Sequence, residues 1–288
     1  MSESVPGASA VQHCYRHPSR ETLLTCSNCE RPICTDCMTV APVGMRCPEC
    51  GGDRGSRAPA PVRRVQRASA AGAAVATGVL VALNLLIYVA EMVQGVGVSG
   101  VAGSELVRDG AVFGPAVADG EWWRMITGGF LHASVIHVGF NMYLLWILGG
   151  ALERYAGAPR FLAVYFTAML WGSAGALYLD PNALTVGASG GVFGLMAAVF
   201  LLERQRGMNL LGSSVGMLLL LNLGITFLIP GISVGGHVGG LLGGAAAALV
   251  LSGFGRGHLA YGRLGVPGWG LVALLAVVAV GVGVVSAG

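Results

Sequence analysis

Long apolar segments constrain this chain more than any other feature. A hydrocarbon core of about 30 Å is crossed by about 20 helical residues, and seven segments of the sequence come near that length. They span residues 70–90, 134–152, 160–178, 187–202, 209–229, 235–252 and 268–286. Charged residues make up only 11% of the chain and hydrophobic residues 54%, which excludes a disordered chain. The sequence therefore predicts an all-α polytopic membrane protein with seven transmembrane helices.

The cysteines and the net charge gather at one end of the chain. All seven cysteines lie in the first 50 residues, and residues 1–68 hold nine arginines against six acidic residues. Residues 51–68 are rich in Gly, Pro and Arg, which is typical of a flexible linker. We therefore predict an N-terminal module (1–50), a linker (51–68) and a membrane domain (69–288). A basic tail beside a neutral apolar body favours a membrane protein over a nucleic-acid-binding one.

The arginines predict the orientation of the spans, because cytoplasmic loops retain positive charge. Every second connection is basic: the segment before span one and the loops after spans two, four and six. The arginines concerned are Arg57, Arg63, Arg64, Arg67, Arg154, Arg160, Arg204, Arg206, Arg256 and Arg263. We expect a multi-pass protein of the plasma membrane whose N-terminus is cytosolic and whose C-terminus is outside.

Polar side chains occur at three places inside the apolar segments, where they are costly and mark a functional site by default. His132, His137 and Asn141 enter span two, Ser189 lies in Gly-Ala-Ser-Gly at the start of span four, and His237 lies in Gly-Gly-His-Val-Gly-Gly at the start of span six. In the predicted orientation all of them lie toward the outer face. A serine needs a neighbouring base, and the oxyanion formed on its attack needs hydrogen-bond donors. Ser189, His237 and Asn141 match these three requirements.

Four motifs in order make residues 74–255 resemble the rhomboid family of intramembrane serine proteases. They are Glu-Trp-Trp-Arg (121–124), the segment from His132 to Asn141, Gly-Ala-Ser-Gly (187–190), and His237 with Gly240 and Gly244. The resemblance implies a six-helix bundle, here with one extra C-terminal helix.

The same resemblance assigns roles to individual residues. It implies that Ser189 is the nucleophile, that His237 is the base, and that Asn141, His137 and the Ser189 N–H form the oxyanion site. Gly187 would belong to the same tight turn, and Phe193 would pack on the histidine. Trp122, Trp123 and Arg124 fit equally an aromatic belt at the membrane interface with a cation that reaches the headgroups.

The N-terminal module contains eight residues of types that bind metals, arranged in four pairs with two residues between the members of each pair. The pairs are Cys14 with His17, Cys26 with Cys29, Cys34 with Cys37, and Cys47 with Cys50. Eight such ligands suit two tetrahedral zinc ions, and a cytosolic location keeps the thiols reduced. The pattern resembles B-box-type zinc fingers, in which the first and third pairs hold one ion and the second and fourth the other. Sequential pairing, as in two zinc ribbons, is the alternative.

The leading hypothesis is a serine endopeptidase that cleaves transmembrane protein substrates in the bilayer near the outer face. Its zinc is expected to be structural and to take no part in catalysis. The alternative is a catalytically silent rhomboid-like scaffold that recruits partners through the zinc module. A recognition role for that module, with a cytosolic protein partner, is a further hypothesis. A small-solute transporter would require inverted repeats, which we do not find in the sequence.

Overall fold

The computed structural model describes residues 12–40, 44–51, 74–95, 104–205, 207–252 and 266–288. Its contacts divide the chain into two units, Met1–Ala68 and Ser69–Gly288. The predicted linker and the start of the first predicted span lie largely outside the described residues, so the structure does not test them.

The N-terminal unit is small and is built around cysteines. Two short antiparallel hairpins, β1 (Gln12–His13) with β2 (Glu21–Thr22) and β3 (Thr39–Val40) with β4 (Met45–Arg46), precede one turn of helix, α1 (Pro48–Gly51). Its buried core consists of Ile33 and five cysteines. Because so little apolar surface is buried, a segment of this size needs a further source of stability.

The regular structure described in the second unit consists of helices, apart from one isolated β-bridge. Its longer helices are α2 (Val75–Val93), α6 (Val135–Ala156), α7 (Ala158–Leu179), α8 (Ser189–Gln205), α9 (Ser214–Leu228), α10 (Val234–Leu251) and α11 (Val266–Ala287). Three short helices connect α2 to α6, namely α3 (Glu105–Gly110), α4 (Gly114–Ala118) and α5 (Arg124–Thr127). Helix α6 contains a π-helical stretch at Leu145–Gly149.

Five helices in the described part are long and apolar enough to cross a membrane: α2, α6, α7, α10 and α11. Helices α8 and α9 are shorter, with 17 and 15 residues. Helix α9 starts at Ser214 rather than at the predicted residue 209, because the Asn209 side chain accepts the Gly212 N–H in the preceding turn and the Ser213 side chain caps the helix by accepting the Gly216 N–H. Polytopic membrane architecture is confirmed, and the count of six spans plus one stays a prediction.

Glycine allows α7, α8 and α10 to pack with their backbones in contact. A Cβ atom on Gly172 of α7 would lie 2.8 Å from the carbonyl oxygen of Gly236 on α10. A Cβ on Gly240 of α10 would overlap the backbone of Gly190 on α8. Side chains of any size would therefore separate these helices, which is why small residues recur at such interfaces.

Glu153 fastens α2 to α6. Its buried carboxylate accepts the N–H groups of Ala76 and Thr77 at 2.9 and 2.8 Å, and the Thr77 hydroxyl at 2.7 Å. The first N–H groups of a helix have no partner within the helix, and a negative charge there is favourable. One acidic side chain thus caps a helix on a neighbouring span.

Arg124 organises the connection between α2 and α6. It is 7% exposed, its Nη1 donates to the carbonyl oxygens of Arg108 and Ala111, and its Nε donates to Glu121 at 2.5 Å. The interpretation in which this cation reaches lipid headgroups is therefore wrong, since the side chain is buried and its Nε and Nη1 groups donate inside the protein. Trp122 and Trp123 are each 47% exposed, as an interfacial belt requires.

Candidate active site

Ser189 is the first residue of α8 and follows a tight turn. Gly187 has φ +126°, a conformation that L-residues with side chains rarely adopt. Backbone hydrogen bonds fix the position of this turn. The N–H of Gly187 donates to Gly128 O at 2.9 Å, and Thr185 forms an isolated β-bridge with Val112. The Ser189 N–H lies in the first turn of its helix, where N–H groups have no partner within the helix and the helix dipole favours negative charge.

His237 lies in the first turn of α10 and is held on two sides. The ring of Phe193, one helical turn after Ser189 on α8, stacks on the imidazole with 4.2 Å between centroids and 22° between planes. On α9, the hydroxyl of Thr226 lies 2.7 Å from His237 Nδ1. The predicted contact between Phe193 and the histidine is therefore present in the structure, and Phe193 is 3% exposed.

His137 and Asn141 lie one turn apart on α6, whose start is capped by the side chain of Ser134. Nδ1 of His137 accepts the N–H of Ala133 at 3.3 Å, so the neutral ring carries its proton on Nε2. That nitrogen faces Gly187, where a Cβ atom would lie 2.7 Å from it. The Asn141 amide donates one N–H to His137 O at 2.9 Å and has a second N–H to offer.

One cavity of about 1090 Å³ connects these groups, lined by residues of α6, α7, α8, α9 and α10. All six residues predicted for the site contribute to its lining: Asn141, His137, Gly187, Ser189, Phe193 and His237. The Ser189 hydroxyl oxygen lies 3.7 Å from the point that a Gly187 Cβ would occupy, next to the His137 ring. The cavity thus joins a serine, two imidazoles and an amide that come from three helices.

Two buried polar residues near this site were not predicted. Thr226 could have been noticed from its spacing to Asn222, since polar residues four apart share one face of an apolar helix. Glu91 lies one residue beyond the first predicted span, 70–90, yet in the structure it belongs to α2 and is fully buried. Its carboxylate accepts the His132 N–H at 3.2 Å, and the His132 ring packs edge-on against His137 at 5.1 Å. Glu91 therefore supports the turn that leads into α6.

The N-terminal unit brings its eight predicted ligands together in two clusters. One cluster contains Cys14, His17, Cys34 and Cys37, and the other contains Cys26, Cys29, Cys47 and Cys50, with the ligand atoms of each within 4.8 Å of one another. The first pair along the chain thus lies with the third, and the second with the fourth. This is the interleaved arrangement; sequential pairing would join neighbouring pairs instead.

Arg31 lies beside the second cluster. Its guanidinium donates to the sulfur atoms of Cys29 and Cys47 at 3.3 and 3.6 Å, and it lies 4.6 Å from the ring centre of Tyr15. The hydrogen bond from Arg31 lowers the pKa of the Cys29 thiol. A cation in this position favours the thiolate, which is the form that binds metals.

Comparison with known proteins agrees with the architecture. Residues 119–254 match the family model of the rhomboid domain. The chain is 37% identical over 181 residues to Rhomboid protease GluP of Bacillus subtilis (strain 168), which covers 61% of this chain and 35% of that protein. It is 35% identical over 133 residues to Putative rhomboid protease YdcA of the same organism, covering 44% of this chain and 66% of that one. Rhomboid-like protease 1 of Toxoplasma gondii is 35% identical over 161 residues, with 52% and 54% covered.

The fold and the cavity define a polytopic membrane protein with a serine and two histidines gathered between its helices. The helices that carry these groups, α6, α8 and α10, all lie within residues 119–254, which match the rhomboid-domain model. The chain spans about a third of the length of the first of these relatives and just under two thirds of the second.

Proposed function

We propose that the membrane domain is a serine endopeptidase that hydrolyses peptide bonds in or beside the transmembrane segments of its substrates, near the outer face of the plasma membrane. The observation that carries this proposal is the cavity in which Ser189, at a helix N-terminus, and His237 meet His137 and Asn141. The proposal is further supported by the rhomboid domain match and by relatives named as proteases.

In the proposed reaction, Ser189 Oγ attacks the carbonyl carbon of the scissile bond while His237 Nε2 accepts the hydroxyl proton. A serine hydroxyl is a weak nucleophile until a base removes its proton. The imidazolium then gives this proton to the leaving amine nitrogen, and an acyl-enzyme remains. A water molecule from the cavity attacks the ester carbon and loses its proton to His237, which returns it to Ser189 Oγ as the acid product leaves.

The negative charge on the carbonyl oxygen would meet donors from two helices. His137 Nε2–H, the second N–H of the Asn141 amide and the backbone N–H of Ser189 are the groups available, and the N-terminus of α8 adds its partial positive charge. Removing one such donor in other serine proteases costs about 10²–10³ in kcat. Since the His137 proton is fixed on Nε2 by the Ala133 N–H, this donor needs no rearrangement before the reaction.

The test is cleavage of a model single-span substrate by the purified full chain in proteoliposomes. We expect Ser189→Ala and His237→Ala each to abolish cleavage, and Ser189→Ala to abolish labelling by a fluorophosphonate. Ser214→Ala is the matched control, because Ser214 starts α9 away from the cavity lining. Full activity in either site variant would reject the assignment. Neither labelling nor cleavage by the folded wild-type chain would instead favour the catalytically silent scaffold.

We also propose that the N-terminal module binds two structural zinc ions. Zinc bonds of about 2.3 Å to sulfur and about 2.0 Å to nitrogen give tetrahedron edges of about 3.8 Å between sulfurs and about 3.5 Å between sulfur and nitrogen. His17 Nδ1 lies 3.3 to 3.8 Å from the three sulfurs of its cluster, and Cys29 Sγ lies 3.7 Å from Cys47 Sγ. Four protein ligands for each ion leave no position for a substrate, so zinc would stabilise the fold of the module.

Metal content measured by mass spectrometry tests the number of ions and the pairing together. The full chain should contain two zinc ions. The double variant Cys14→Ser with Cys34→Ser removes two ligands from one cluster if the pairing is interleaved, so one ion should remain. Under sequential pairing the same variant damages both sites, and neither ion should remain firmly bound. Cys26→Ser with Cys47→Ser is the matched variant of the second cluster.

For the topology we propose six core spans and a seventh, α11, with the zinc module in the cytosol and the C-terminus outside. Cysteine accessibility in right-side-out vesicles checks this orientation at single cysteines introduced at residues 2 and 288.

For the N-terminal module we propose that it binds a cytosolic protein. Unchanged stability, partner binding and in-cell cleavage after deletion of residues 1–50 would reject that role.

A further inference from the structure

Thr226 on α9 makes a polar contact with His237 that the serine and histidine chemistry alone does not require. The threonine is 1% exposed, and it is not among the residues that line the cavity. Its hydroxyl oxygen lies 2.7 Å from His237 Nδ1 and 2.7 Å from the carbonyl oxygen of Asn222, one turn earlier on the same helix. Thr226 therefore contacts the histidine from the side away from the substrate space.

The two contacts together decide where the protons lie. A hydroxyl has a single hydrogen, and a carbonyl oxygen can only accept, so the Thr226 hydroxyl donates to Asn222 O. Such bonds to the carbonyl four residues earlier are common for threonine in helices. The same oxygen must then accept at its other contact, which means that His237 Nδ1 carries a hydrogen and donates it. In the neutral ring, Nε2 is consequently left as the free acceptor.

We propose that Thr226 is a positioning residue for His237, and this inference rests on the proposed protease function. The stacked ring of Phe193 restrains the plane of the imidazole but does not decide which edge faces Ser189. The hydrogen bond to Thr226 determines which edge of the imidazole faces Ser189 and which nitrogen carries the hydrogen. Nε2 is therefore unprotonated and can accept the serine proton. When the imidazolium forms, its Nδ1–H donates to Thr226 more strongly, because hydrogen bonds from charged donors are the stronger ones.

Through Thr226, helix α9 would also take part in the chemistry. Helix α9 supplies Asn222 and Ile225 to the cavity lining, whereas Ser189 and His237 lie on α8 and α10. Of the hydrogen bonds described for α9, the one from His237 to Thr226 joins it to α10. A threonine hydroxyl here takes the place that a carboxylate holds in a Ser-His-Asp triad, with a neutral acceptor in place of a charged one.

The test compares Thr226→Val, which keeps the shape and removes the hydroxyl, with Thr226→Ser, which keeps the hydroxyl. A positioned base contributes about 10²–10⁴ in rate, and we expect the valine variant to lose about 10- to 100-fold in kcat with KM within about twofold of wild type. The serine variant should recover most of this loss. Thr167→Val, which alters another buried threonine outside the cavity lining, should cleave like the wild type.

The controls separate this inference from the function on which it rests. Cleavage by Ser189→Ala would reject the protease proposal itself. Wild-type kcat in Thr226→Val beside an inactive Ser189→Ala would overturn the positioning role alone. A rise in kcat for the valine variant, or a serine variant as slow as valine, would also overturn it. Should the valine variant fail to fold in thermal unfolding measurements, Thr226→Ala against Thr226→Ser supplies the same comparison.

Discussion

Gly187→Ala should damage the site far more than it damages the fold. Gly187 has φ +126°, and a Cβ atom there would lie 2.7 Å from both Cε1 and Nε2 of His137. Ordinary contact begins near 3.4 Å, so the ring or the turn must move by about 0.7 Å. The strained backbone conformation costs about 1–3 kcal/mol in addition.

The catalytic consequence follows from that displacement. His137 Nε2–H is a proposed donor to the oxyanion, and Ser189 lies two residues after the glycine. A misplacement of about 1 Å can cost about 10²-fold in rate, and loss of one oxyanion donor costs about 10²–10³ in kcat. We therefore expect kcat for Gly187→Ala to fall by at least about 10²-fold, with a small change in KM, because the variant harms the transition state more than substrate binding.

The assay is substrate cleavage in proteoliposomes, with thermal unfolding measured on the same preparations. Gly139→Ala on α6 is the matched control, since a Cβ atom there meets nothing within 4 Å, and it should keep wild-type kcat. A Gly187→Ala variant with wild-type kcat would show that the turn tolerates a side chain and that His137 is not needed where the structure places it. A loss of kcat that only tracked unfolding would equally contradict the reasoning.

Three further predictions concern other contacts. Gly240→Ala on α10 should lower the thermal unfolding midpoint and the cleavage rate together, because its methyl group would overlap the backbone of Gly190; Gly224→Ala on α9, with open space around it, should change neither. Glu153→Ala should lower the free energy of unfolding by about 3 kcal/mol or more, since buried hydrogen bonds to a charged group contribute about 1.5–3 kcal/mol each. Glu153→Gln, which keeps one acceptor oxygen, should lose less, and equal losses in chemical denaturation would contradict the capping role. Arg31→Ala should weaken zinc binding by about 10- to 100-fold, the usual effect of removing a group that supports metal ligands, whereas Arg46→Ala, which alters an exposed arginine, should not; competition with a chromogenic chelator measures both.

The sequence predicted the class of protein because membrane insertion depends on local composition. Apolar length is a property of each segment by itself, and it identified helices at all seven places, although α8 and α9 are shorter than the core is thick. The cysteine spacing likewise identified the eight ligand residues, although not how the four pairs combine. Neither property could show that Arg124 is buried or that Glu91 belongs to α2, because both depend on contacts with distant residues.

For the residues proposed for catalysis, too, the sequence determined some properties and the tertiary structure determined others. Ser189, His237, His137 and Asn141 could be recognised from the sequence because a polar group in an apolar span is conspicuous wherever it lies. Only the tertiary structure determined which nitrogen of each histidine carries the proton, since the deciding partners, Ala133 N–H and the Thr226 hydroxyl, are found by turn and helix packing. The tertiary structure also determined that the cysteine pairs interleave. The spacing along the sequence is compatible with both interleaved and sequential pairing, so it could not distinguish them. Residue type and spacing determine which groups are available, whereas distances between segments determine what those groups do.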